Sequence, residues 1–317
     1  MNNSAQGDLP DVGIVTALPK EFAAAKAMLD DPQDAPPHRE DHSDYVIGRI
    51  PHSGGGAHSV VLTLQTKPAN NVASIAVTNL KRSFPSVDHV LMVGIAGGVP
   101  NHRQPSKHVR LGDIVISGEH GVIQYDHLRL SEGVAELKGT SPLPSPALLN
   151  KVNRLEAERL AGKRPWERHV RRGRRLLGAS RPSPSFDKLY HSRRSNVKLE
   201  HPTDVDRITG QPKLYYGRIA SANILLKDPL LRDVLRDQLD VRAVEMEGSG
   251  ISDAAWVGGV GYLVIRGICD YCDSRKGDTW QAYASVVAAA YARALIEALP
   301  VNAVSPSRPS VHPLSVT

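Results

Sequence analysis

Cysteine is nearly missing from this chain of 317 residues: Cys269 and Cys272 are the whole supply. Two neighbouring thiols cannot staple a small secreted scaffold, so a disulfide framework is excluded. Their C-x-x-C spacing is one that redox proteins use. A thioredoxin-type motif, however, opens a helix near the start of its fold, and this one follows a late apolar segment. A zinc site would need two more ligands of good type. There is no second C-x-x-C, and the thirteen histidines form no H-E-x-x-H or similar cluster, so no metal is expected. Aromatic residues make up only 5% and do not interleave with basic ones, which argues against single-stranded nucleic acid as a partner. Long apolar runs are lacking as well. Stretches such as Val286–Tyr291 fall far short of the ~20 residues that cross a bilayer, so no membrane partner is expected. The first 30 residues show no basic start followed by an apolar run. No signal peptide is therefore expected, and the protein reads as cytoplasmic.

What is present is an ordinary globular composition, 41% hydrophobic and 23% charged, enough for a sizeable core. The formal charge of +6 is unevenly spread. Between Lys151 and Arg175 stand ten Lys or Arg against three Glu (Glu156, Glu158, Glu167), more than the whole net excess. A solvated basic helix or mobile insertion is the plainer reading of that run, and binding of phosphate or another polyanion is the sharper one.

Along the chain, residues 1–10 are polar and expected to be disordered. Short apolar segments at 11–17, 89–93, 112–117, 214–221, 243–247 and 261–266 read as buried strands. Two more strands, 45–50 and 59–65, flank a turn containing Gly54, Gly55 and Gly56. Helical spacing predicts helices at 21–29, 70–84, 229–239, 250–257 and 280–299, whereas 30–44, with three prolines, predicts a loop. Residues 131–211 are charged and proline-punctuated, an insertion within a domain spanning 11–299, and the tail 300–317 is expected to be disordered. Alternating strands and helices indicate an α/β sheet covered on both faces, and in such sheets sites form beyond the carboxyl ends of strands.

Three strand ends carry chemistry. Glu21, at the first predicted helix, could hold a water molecule as general base, although a glutamate there also simply suits the helix dipole. The segment 94–98, Gly-Ile-Ala-Gly-Gly, brings backbone close to a ligand at Ala96 and Gly97 but matches neither a Walker loop nor a dinucleotide fingerprint. Glu247 and Asp270 are the third. Glu247 can accept hydrogen bonds from vicinal sugar hydroxyls, and desolvation of Asp270 would let it donate a proton near neutral pH. Arg266 would orient a carboxylate or the attacking water, or would form a plain surface pair with Asp270.

Together these segments are more specific than any one alone. The stretches 12–21, 93–98, 111–117, 244–248 and 264–270, in that order, resemble the methylthioadenosine/adenosylhomocysteine nucleosidases of the nucleoside phosphorylase/nucleosidase superfamily. The stretches 121–126, 216–221, 266–274 and 280–284 resemble more closely the phosphorylase-like ATP nucleosidase effector domains of fungal NLR-type receptors and bacterial anti-phage systems. The resemblance implies a three-layer α/β sandwich, with a central mixed sheet flanked by helices, of the purine nucleoside phosphorylase/hydrolase kind. It implies a purine nucleosidase that hydrolyses the N-glycosidic bond of an adenine nucleoside or nucleotide, ATP or AMP in preference, in an immune or anti-phage role.

The same resemblance makes Asp270 the purine-protonating acid and Glu21, helped by Arg266, the holder of the attacking water. It places the substrate against Glu247, Met246, Glu245, Ala96, Gly97, Ser221, Asn223 and Ile224. A nucleotide would also need cations, for which Arg103, Lys107 and Lys227 are candidates. No cofactor is required, and magnesium would arrive only with a nucleoside triphosphate. A homodimer or larger homo-oligomer, with a regulatory partner, is expected. Two departures stand out: Ala222 where the subgroup has Gly in Ser-Gly-Asn, and Arg275 where a His is common. The alternatives are a phosphorylase on the same fold, which Glu21 would oppose by repelling phosphate, a non-catalytic nucleotide-sensing domain, and a nucleic-acid binder using 151–175.

Overall fold

The computed structural model describes residues 9–139 and 141–300. The expectations of disorder for the two ends therefore fall outside the described residues, except at Leu9, Pro10 and Pro300. In chain order come β1 (Val12–Thr16), α1 (Pro19–Lys26), β2 (Asp30–Ala35), β3 (Tyr45–Pro51), β4 (Ala57–Leu64), α2 (Asn70–Ser83) and β5 (His89–Gly98). After β6 (Ile114–Ile116) and β7 (Val122–Gln124) follow the hairpin β8 (Leu128–Ser131) and β9 (Val134–Leu137), then α3 (Pro146–Leu160) and α4 (Trp166–Leu177). A second hairpin, β10 (Leu189–His191) and β11 (Arg194–Leu199), precedes β12 (Leu214–Tyr216), β13 (Arg218–Ser221), α5 (Pro229–Leu239) and β14 (Val241–Glu245). The last elements are α6 (Gly248–Val257), β15 (Gly261–Asp270) and α7 (Gln281–Ala298).

The strands form a mixed sheet in the order β12-β6-β15-β5-β1-β4-β3-β2, with a branch through β14, β13 and β7. β5 joins the two parts. Its first half runs parallel to β1, with Val12–Val15 beside His89–Met92, and its end pairs antiparallel with β14 through Gly97 and Gly98. Strand alternation sets the layers. Gly13, Val90 and Tyr262 are in register on one face, and a Cβ on Gly13 would meet Leu80 of α2. Gly267 lies an odd number of residues beyond Tyr262, so it faces the other way, and a Cβ there would fall 1.9 Å from the carbonyl of Ala284 in α7. The expected three-layer α/β architecture is thus what the chain adopts.

Two local expectations change. Residues 30–35 form a strand, not a loop. β2 pairs antiparallel with β3 at the sheet edge, where its exposed, proline-containing sequence leaves no donor missing from an interior ladder. β15 runs on to Asp270 rather than stopping at Arg266, so the carboxylate sits on the strand itself. The 131–211 stretch builds no core of its own. Leu148, Val152, Leu155, Trp166 and Val170 are buried in the main core, and Trp166 packs on Tyr291 of α7 at 5.7 Å. Part of its positive charge is spent locally, since Arg168 reaches Glu297 at 2.6 Å and Arg172 reaches Asp30 at 2.7 Å.

The approach of β15 to α7 tolerates no side chain at Gly267. Gly267→Ala is expected to lower stability by about 1–3 kcal/mol or more through overpacking. Gly259→Ala, where φ is +64° but no atom lies within 4 Å, should cost less. Thermal unfolding of both variants checks the order.

Candidate active site

The site is built where β1, β5, β14 and β15 end. Leu18-Pro19 starts α1, and Glu21 falls at its third position, close enough to fold back over the helix start. Its Oε2 accepts the backbone N–H groups of Ala17 (2.8 Å) and Leu18 (2.9 Å), and its Oε1 accepts that of Ile95 (2.7 Å). The residue thus caps the helix and also faces a cavity. Burial pushes its carboxyl above the ordinary range despite nearby Arg266 and three backbone donors.

Arg266 has no exposed surface, so the surface-pair reading fails. Its guanidinium pairs with Glu245, and with Glu247 at 2.9 Å, rather than with Asp270. It also meets Glu21 over Gly94, where an added Cβ would lie 2.5 Å from both Arg266 Nη1 and Glu21 Oε1. Glu245 ends β14 and accepts the N–H groups of Glu247 (3.1 Å) and Gly248 (2.8 Å), the start of α6. Glu247 stands at the N-cap position of that helix without a side-chain capping hydrogen bond, and it lines the cavity. Burial raises its carboxyl to about 8, with Glu245 and Glu21 adding to the rise and Arg266 opposing it. Three buried carboxyls thus share one cation, an arrangement that retains a proton near neutral pH.

Asp270 stands opposite, 4% exposed. Its Oδ1 accepts the N–H of Cys272 at 2.9 Å, and its Oδ2 receives the Cys269 thiol at 3.2 Å and the Lys276 ammonium at 3.1 Å. Gly97 is obligatory here, because a Cβ would sit 2.2 Å from Cys272 Sγ and 2.9 Å from Asp270 Oδ1. Between these groups lies a cavity of about 210 Å³. Its walls include Leu18, Glu21, Ala96, Gly97, Ile224, Glu245, Met246 and Glu247, with Cys269, Cys272, Lys276 and Gln281.

The remaining expected residues are placed differently. Ser221 is buried behind the wall, donating to Asn70 Oδ1 at 2.8 Å, and Asn223 Oδ1 accepts the N–H of Asn70 at 2.9 Å. Both brace α2 against β13 rather than line the cavity. The three phosphate candidates are not gathered there either. Arg103 lines a separate cavity with Arg232 and Arg236, Lys107 pairs with Asp240 at 3.1 Å, and Lys227 is exposed beyond the wall. The sequence reading missed Lys276, Gln281 and both thiols as wall residues. The C-x-x-C spacing around Asp270 was the only signal, and it pointed to redox or metal chemistry instead. Both thiols are free and buried, and no group of three or more His, Cys, Asp or Glu among the described residues could hold a metal ion.

Comparison with known proteins gives the family. The chain is 31% identical to a nucleotide-binding leucine-rich repeat (NLR)-like protein of Hyaloscypha variabilis, over 94% of this chain and 30% of that one. It is 30% identical to an ATP nucleosidase of Escherichia coli, over 88% of this chain and 50% of that one. It thus spans about a third to a half of these relatives. A 5′-methylthioadenosine/S-adenosylhomocysteine nucleosidase of Mycobacterium bovis is 25% identical, with 92% and 97% of the two chains covered. Among solved structures, the corresponding nucleosidase of Helicobacter pylori shares the fold with a TM-score of 0.62 at 16% identity, covering 91% and 98% of the two chains. The family model described as Phosphorylase superfamily matches residues 11–299, and the chain belongs to that superfamily.

Proposed function

We propose that the protein is a purine nucleosidase, hydrolysing the N-glycosidic bond of an adenine nucleoside or nucleotide to release adenine. The observation that carries this reading is the cavity itself, with a carboxylate cluster around a buried arginine at its wall and Asp270 directly behind the wall residues Cys269, Cys272 and Lys276 that it contacts. Water held by Glu21 attacks C1′ of the ribose. Glu247 accepts the sugar hydroxyls while positive charge grows on the ring, and Asp270 protonates N7 so that the base leaves neutral. Glu21, Glu245 and Glu247 together would repel an incoming phosphate, which favours hydrolysis over phosphorolysis.

ATP or AMP is the favoured substrate, on the strength of the ATP nucleosidase relative, and with it a role as an immune or anti-phage effector. Among the described residues Lys276 is the single cation on the cavity wall, so the phosphates of a nucleotide would extend out of the cavity, accompanied by magnesium in the case of ATP. Ile224 and Leu225, about half exposed at its mouth, would be covered in a homodimer. No helix among the described residues is long and apolar enough to cross a membrane.

Chromatography of adenosine, methylthioadenosine, AMP and ATP digests is expected to show adenine release without phosphate. Asp270→Asn should reduce that release by about 10²–10⁴-fold. No release from any of the four would sink the catalytic reading. A second expectation concerns pH. The folded state holds a proton on Glu247 between its ordinary 4.5 and about 8 that the unfolded chain has already lost. The stability linked to this group is therefore full below 4.5 and falls as pH rises toward 8. Glu247→Gln should flatten the decline of melting temperature with pH over that window while impairing base release.

A further inference from the structure

Lys276 lines the catalytic cavity, yet the mechanism above gives it no task. It reaches Asp270 because the chain reverses just after β15. Cys272 adopts a left-handed φ of 52°, and the Lys276 N–H bonds the carbonyl of Asp273 at 3.2 Å, which turns the ammonium back to 3.1 Å from Asp270 Oδ2. Beside the pair lies a second cavity, of about 270 Å³, lined by Asp270 and by Lys276 and Cys269, which line the first cavity as well. Its outer wall is formed by exposed residues, among them Lys188, Arg275, Gly277 and Thr279. Lys276 thus stands between the substrate cavity and a chamber at the surface, with Asp270 on the chamber side, and it is 25% exposed.

An acid that gives a proton to the purine has to be given one. As the C1′–N9 bond breaks, its electron pair enters the purine and N7 becomes strongly basic, so transfer from an ammonium through a carboxyl becomes favourable at that stage only. Resting on the reading of Asp270 as the acid, we propose that Lys276 is a positioning residue that supplies Asp270 with its proton from the chamber behind it. The steps balance. Asp270 passes a proton to N7, and Lys276 passes one to Asp270. Water in the chamber restores Lys276, and the proton of the attacking water leaves through Glu21 to solvent.

The groups facing Lys276 suit this task. Asp270, Cys269 and Cys272 approach from β15 and its turn, Asp273 and Arg275 from its own loop, and Lys188 and Tyr190 from the chain at β10. Burial opposes the charge on Lys276, but Asp270 outweighs it and holds the ammonium above its ordinary value.

The test compares Lys276→Arg and Lys276→Gln with wild type and Asp270→Asn, measuring adenine release from ATP and from methylthioadenosine as a function of pH. A guanidinium keeps the charge but does not give up its proton. Both position-276 variants should therefore lose kcat by about 10²-fold or more with KM nearly unchanged. The alkaline limb of the wild-type kcat profile should be absent in both. Melting curves confirm folding, and if Lys276→Gln does not fold, Lys276→Arg alone decides. A Lys276→Arg enzyme with wild-type kcat and the wild-type alkaline limb would overturn the proposal and leave Lys276 as a holder of charge. Full activity in Asp270→Asn would instead remove the acid role on which it rests.

Discussion

Arg266 is a full positive charge with no exposed surface, held in place by carboxylates that come from three different parts of the chain. Glu245 arrives on β14, Glu247 at the start of α6, and Glu21 at the start of α1. Each of these would be costly to bury alone, and removing the arginine would leave three acids facing one another in a low-dielectric space. The cation therefore fixes the distance between strand ends that otherwise share few direct contacts. It also shapes their protonation, since burial raises Glu21 and Glu247 while the arginine opposes the rise. The chemistry of the cavity is in this sense an outcome of how one charge is neutralised.

Placing such a cluster requires backbone to approach side chains very closely. β5 does this along its last residues. Gly94 leaves room for the meeting of Glu21 and Arg266, and Gly97 leaves room for Cys272 and Asp270. The same strand changes partners along its length, from β1 to β14, and the cavity lies beside its last residues. Gly250, whose Cβ would lie 1.9 Å from the carbonyl of Asn70, lets α2 and α6 touch. At these three positions glycine serves contact between elements rather than a turn.

Much of this could be read from the sequence. The apolar segments 243–247 and 261–266 announced buried strands, and the carboxylates at or just beyond their ends, Glu247 and Asp270, marked the strand ends at which α/β folds bind ligands. β2 was hidden because an exposed edge strand containing Asp30, Asp31, Pro32 and Asp34 has neither alternation nor apolar content. The partners of Arg266 were hidden because ion pairs across a sheet depend on register, which local spacing does not encode. Lys276 was hidden for a related reason: its position follows from a left-handed turn at Cys272, a residue type that seldom adopts one. Ser221 and Asn223 were expected from the resemblance, but whether such a polar group faces ligand or framework depends on Asn70, more than a hundred residues away in sequence.

Glu21 caps the first turn of α1 with the same two oxygens that face the cavity. Fraying of that turn would release both Ala17 and Leu18 amides and carry the carboxylate away from Ile95 in one motion. On the proposed reading of Glu21, a molecule whose first helix is loose is for that reason also a molecule without its water-holding group. Local folding and competence for catalysis are then a single equilibrium, and whatever grips or frees the N-terminal end of α1 sets the fraction of molecules that can act.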